Sequence, residues 1–186
     1  MARIRPPLAF VAVILTLMMT PGSLAQQPAS TSEISTGTLA GGQVVPPAAT
    51  GALGVGTLFL SRSLRTIGYR ANVFNLPSGL VAAHLHVGSP GVTGPIVATL
   101  NVLQNLSSDF TLSGTVFEDQ LQLRPEEGLR SLDDVMQAAA SGALYLDIHT
   151  ASRPNGEIRG QMCPQRDANT STGVALCEGP PNRLSP

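Results

Sequence analysis

Three histidines make up the whole imidazole complement of this 186-residue chain, and they fall in two short segments. His84 and His86 sit in Ala83-His84-Leu85-His86-Val87-Gly88, and His149 closes Leu144-Tyr145-Leu146-Asp147-Ile148-His149-Thr150. Both segments alternate apolar with polar residues, the period of a β-strand whose successive side chains point to opposite faces. His84 and His86 therefore share one face, and Tyr145, Asp147 and His149 share another. If the two strands are neighbours, every histidine converges on one polar patch. Three imidazole nitrogens at such spacing suit Zn(II) or Cu(II), with Asp147 or Glu157 as a fourth ligand or as an acceptor that orients a ring.

Two other uses of the patch stay open at this point. The histidines can be scaffold, hydrogen-bonded to Asp147, Glu157 and the backbone, with Arg159 pairing an acid across a hairpin. Alternatively, the patch can be a recognition surface for a protein or glycan without metal, Tyr145 and Arg159 acting as contact residues. On the metal reading, Tyr145 and Arg159 stand just behind the ligands.

The elements that must carry these residues read as short strands between turns. Strand patterns cover 34–39, 54–60, 64–73, 80–87, 95–100, 109–117, 142–149 and 157–162. Val44-Val45-Pro46-Pro47 is extended, but proline lacks the donor that a central strand requires. Ser131-Leu132-Asp133-Asp134 has the form of a helix N-cap with acids in the first turn, and Gly142 ends the short helix that follows. Pro154-Asn155-Gly156 joins the last two strands as an antiparallel hairpin. Ala83, Leu85 and Val87, together with Leu144, Leu146 and Ile148, then face the core, and the histidine side faces outward. About eight strands, one short helix and no repeated βαβ spacing predict an all-β sandwich or barrel.

Outside this region the chain changes character. Arg3 and Arg5 precede an apolar run from Leu8 to Met19, then Pro21-Gly22 and the small-residue pattern Ser23-Leu24-Ala25, so residues 1–25 are expected to be a signal peptide. The run is too short for a comfortable membrane span, which takes about 20 residues, so the mature chain is expected to have none. Residues 26–35 read as a linker, 36–163 as the β domain and 164–186 as a tail. In an oxidising compartment Cys163 and Cys177 are expected to form one disulfide that ties the tail back, a staple worth about 3 kcal/mol. The protein is expected to be exported, to the periplasm or beyond. With a formal charge of −1 and arginine as its only strongly basic residue type, the chain lacks the basic surface that nucleic acid demands.

These motifs also resemble a known family. Thr38-Leu39-Ala40-Gly41-Gly42-Gln43-Val44-Val45-Pro46-Pro47, Ala83-His84-Leu85-His86, Gly94-Pro95-Ile96-Val97, Leu144 to Thr150 and Pro154-Asn155-Gly156-Glu157-Ile158-Arg159-Gly160 are together similar to the CHRD domain. That domain is named from chordin and is widespread in exported bacterial proteins. The resemblance implies an immunoglobulin-like or Greek-key β-barrel, with a likeness to copper-zinc superoxide dismutase, and it implies no agreed biochemical activity. In chordin the domain belongs to an extracellular growth-factor antagonist, and the cysteine-rich modules associated with that binding are missing here.

An enzyme is not expected. Three histidines are too few for a dismutase-like dinuclear centre, and the chain holds no Gly-x-Ser-x-Gly elbow and no phosphate-cradling glycine loop. The glycines of 51–56 enter a strand rather than a helix, and Glu126-Glu127 and Asp133-Asp134 read as solvated charges. The expected function is a binding or structural module.

Overall fold

The alternating segments form strands that position the histidines from both sides. The computed structural model describes residues 33–165 other than Gln104. Eight strands, β1 (Glu33–Ala40), β2 (Leu53–Ser61), β3 (Thr66–Leu76), β4 (Leu80–Val87), β5 (Ile96–Thr99), β6 (Ser108–Phe117), β7 (Leu144–Thr150) and β8 (Ile158–Pro164), are joined by one helix, α1 (Leu132–Ala140), between β6 and β7. They form one antiparallel sheet in the order β5-β4-β7-β8-β1-β2-β3-β6.

The two end strands curl toward each other. The Tyr69 hydroxyl on β3 accepts a hydrogen bond from Asn101 N just past β5 (3.0 Å), and Gln122 N, past β6, donates to Val97 O (2.9 Å). The result is a nearly closed barrel. With β5 beside β6 across that gap, β7-β4-β5-β6 is a Greek key, and the connection through α1 crosses the barrel end.

Period-2 patterning puts Leu39, Leu58, Leu60, Ile67, Leu85, Leu146, Ile148 and Met162 inside, each at most 2% exposed. Side chains on β4 and β7 divide as their sequence indicates, Ala83 and Leu85 inward with Leu144, Leu146 and Ile148. In α1, Leu132, Val135, Met136 and Ala139 are buried at helical spacing, and Ser131 Oγ caps the helix by accepting from Asp134 N. Gly142, at φ +73°, reverses the chain into β7.

Several boundaries differ by one to three residues from the sequence reading, and two of the differences have a clear cause. β1 starts at Glu33, inside the segment read as linker, because Glu33 pairs with Leu60 in the β2 register. β3 starts at Thr66 rather than Leu64, because Arg65 takes a left-handed conformation (φ +53°) at the end of the β2–β3 turn. Arg65 pairs there with Glu118 and Asp133, and Arg62 with Glu33 and Asp133. The expected signal peptide and residues 166–186 of the tail, Cys177 among them, lie outside the described residues, whereas Pro164 of the expected tail still belongs to β8. Cys163 lies near the end of β8. No helix among the described residues is long and apolar enough to cross a membrane.

Candidate metal centre

β7 runs between β4 and β8, and the register brings the polar residues together. His84 pairs with Asp147, His86 with Tyr145 and Ala82 with His149, while Asp147 pairs with Arg159 on the other side. Cross-strand partners share a face, so one carboxylate lies amid three imidazoles.

Asp147 Oδ1 is 3.1 Å from His149 Nε2, 3.2 Å from His86 Nε2 and 3.6 Å from His84 Nδ1. His84 Nδ1 and His149 Nε2 are 3.0 Å apart, and the four ligand atoms all lie within 4.8 Å of one another. Metal–ligand bonds of about 2.0–2.1 Å at tetrahedral angles separate ligand atoms by about 3.3 Å. Four of the six edges, at 3.0–3.6 Å, bracket that value, and the other two lie within 4.8 Å.

The ring orientations add chemistry that distances alone do not. His86 Nδ1 faces Gly94 O at 2.9 Å, and His149 Nδ1 faces Pro154 O at 2.9 Å. A carbonyl only accepts, so each ring carries its proton on Nδ1, and in the neutral ring Nε2 is a lone pair. The His86 lone pair points at Asp147 Oδ1, itself an acceptor, and neither of these two atoms has a hydrogen-bond partner. The His149 lone pair lies 3.1 Å from the same oxygen and within hydrogen-bond distance of His84 Nδ1, at 3.0 Å. Acceptors facing one another this closely need a cation between them, either a proton or a metal.

In the metal-free site the electrostatics favour a proton there. Burial works against ionising Asp147, but the surrounding imidazoles, His149 foremost, hold its carboxyl well below the usual carboxylate range. Burial likewise opposes a charged His149, yet Asp147 outweighs it and the imidazole pKa is raised.

The face that the sequence reading placed outward is not open. Tyr145, Arg159 and Gln161 are buried, as are His86 and Asp147, because the connection 88–95 folds over them. Gln161 Nε2 donates to Gly88 O (2.8 Å), Arg159 Nη2 to Ser89 O (3.1 Å) and Gly94 N to the Tyr145 hydroxyl (3.0 Å). The Tyr145 ring stacks on His86 (4.6 Å between centroids, 11° between planes), and the Arg159 guanidinium lies 3.5 Å over the Tyr145 centroid. Burial raises the Tyr145 pKa and lowers that of Arg159.

Two expectations on individual residues are corrected. Glu157 does not join the cluster. Its buried carboxylate turns to the hairpin, accepting from Thr150 Oγ1 (2.8 Å) and facing Arg153 Nε (3.5 Å). Arg159 makes no ion pair among the described residues; its positive charge rests on the Tyr145 ring instead.

Sequence reasoning missed the backbone groups of Gly94 and Pro154 and the tethering role of Gln161. Gly88 and Gly94, bracketing Ser89-Pro90-Gly91, were the signal for the loop. A Cβ on Gly94 would overlap the Val87 carbonyl, so only glycine closes the loop base.

Residues 35–162 match the family model of the CHRD domain. The chain belongs to the CHRD domain family. No curated protein and no solved structure matches it. Every residue of the cluster lies inside the CHRD match, as does the 88–95 loop.

Proposed function

We propose that this CHRD domain is an exported binding module, not an enzyme, that holds one Zn(II) or Cu(II) ion. The ligands are His84 Nδ1, His86 Nε2, His149 Nε2 and Asp147 Oδ1. The observation that carries this reading is the convergence of two tautomer-fixed imidazole lone pairs on a carboxylate oxygen in a buried site. Carbonyl groups that orient the remote nitrogen are the usual companions of metal-bound histidine. Four protein donors fill a tetrahedron and leave no position for a hydrolytic water, which favours a binding or structural ion over a catalytic one. Export rests on the N-terminal run of residues 1–25, and outside the cytosol no thiol pool competes for either ion.

The test is a melting curve of chelator-stripped protein titrated with Zn(II) and with Cu(II). At free metal 100-fold above Kd, the native state gains about 2.7 kcal/mol. The rise in Tm should saturate at one equivalent and vanish in His86→Ala. No shift with either ion would leave the histidines as scaffold and turn the search to protein or glycan partners.

A further inference from the structure

The three histidines are not held alike. His86 and His149 each donate from Nδ1 to a backbone carbonyl at 2.9 Å, which leaves Nε2 for the centre. His84 is reversed: Nδ1 faces the centre, and no described residue accepts from its Nε2. Its Nδ1 also makes the longest measured separation from Asp147 Oδ1, 3.6 Å against 3.1 and 3.2 Å. Its side chain is the most exposed of the three, at 16%. A ligand without a second anchor is free to rotate about its side-chain bonds, whereas an anchored ring must break a buried hydrogen bond to leave.

Resting on the metal reading above, we infer that His84 is a releasable ligand, and that its departure opens one coordination position for a small monodentate anion. With His84 swung away, His86, His149 and Asp147 remain as two imidazoles and one carboxylate around a divalent ion. That set carries a net charge of +1, which favours an anion over a neutral or cationic ligand. The neighbourhood of His84 can receive the displaced ring. Its partner in the β5 register is Thr99, on the same face, whose hydroxyl already accepts from Gln122 Nε2 (3.0 Å). These polar groups lie on the side of His84 away from Asp147, because β5 and β7 flank β4.

The experiment uses the purified full chain and its His84→Ala, His86→Ala and His149→Ala variants, each titrated with Co(II) as a spectroscopic stand-in and then with sodium azide. Visible absorption reads the coordination number, and melting of the metal-free proteins checks that each variant folds. Loss of an anchored ligand should cost at least the effect of losing an orienting partner, about 100-fold. His86→Ala and His149→Ala are therefore expected to lose Co(II) binding by that factor or more. His84→Ala should still bind one Co(II), weakened by no more than about tenfold. It should also respond to azide at a concentration about ten times lower than the unaltered protein needs. Loss in His84→Ala equal to that in His86→Ala, or equal azide responses in His84→Ala and the unaltered protein, would overturn the inference while leaving the metal site standing. An unaltered protein that binds no Co(II), Zn(II) or Cu(II) would remove both.

Discussion

The barrel has two outer faces built by the same strand periodicity, and they are opposites. On β4, β7 and β8 the outer residues are His84, His86, Tyr145, Asp147, Arg159 and Gln161, and they are mostly buried beneath the 88–95 loop. On β1, β2 and β3 the outer residues include Ile34, Leu53, Val55, Phe59 and Phe74, and these are exposed. Polar side chains are covered where apolar ones are bare. Hydrophobicity alone would arrange them the other way, since a buried charge or imidazole costs several kcal/mol unless it is paired. A buried polar face whose acceptors point at one another needs a cation between them, a proton or a metal ion.

Substitutions sharpen the contrast, beginning with the largest effect. Asp147→Ala removes the one anionic donor and leaves three imidazoles facing each other. It should lower metal affinity at least 100-fold and destabilise the metal-free protein by about 3 kcal/mol, measured by calorimetric titration and by urea unfolding. Retained affinity would break the claim that the polar face is built around a cation.

Gly94→Ala comes next. The added methyl would overlap the Val87 carbonyl, displacing the carbonyl that fixes His86 and the amide that holds Tyr145. It should cost about 2–3 kcal/mol in the same unfolding assay and weaken metal binding as well. Gly91→Ala, at φ +76° with open space around it, should cost about 1 kcal/mol and leave metal affinity unchanged.

The pH dependence of the metal-free protein has two limbs. The Asp147 pKa is depressed on folding, so its stability contribution is present above the unfolded value near 3.9 and lost as pH falls through the folded one. The His149 pKa is raised, so its contribution is complete below the unfolded value near 6.5 and lost as pH rises through the folded one. Tm should peak between those values, and His149→Ala should flatten the alkaline limb. Zn(II) should flatten it too, because the ion replaces the proton that is lost there.

The smallest effects belong to the open face. Leu53→Thr and Val55→Thr, both about half exposed, should change stability by about 0.5 kcal/mol or less and leave metal binding untouched. A large loss there would show that this face, too, is covered in the folded protein.

Much of this fold was legible because alternation is strict where one face is buried. β4 runs over Leu80–Val87 as its pattern indicates, and β7 and β8 pair across Pro154-Asn155-Gly156 as their turn requires. The site was half legible. Side-chain period put His84 and His86 on one face and Asp147 and His149 on another, but only the β4–β7 register makes these faces the same one. Two things could not be read. Periodicity says which face a residue takes, not whether a loop will cover that face, so Tyr145 and Arg159 were expected outward. The orientation of the rings depends on backbone carbonyls of Gly94 and Pro154, which have no side-chain signature. Glu157 illustrates the same limit: as the first residue after the turn it answers to Thr150 and Arg153 rather than to strand alternation.

The central claim is tested most directly by equilibrium dialysis of the chelator-stripped chain against Zn(II) and against Cu(II), followed by elemental analysis of unaltered protein and His86→Ala. One ion retained per unaltered chain, and none in the variant, is the expected result. No retained ion in either protein, or the same content in both, would contradict it.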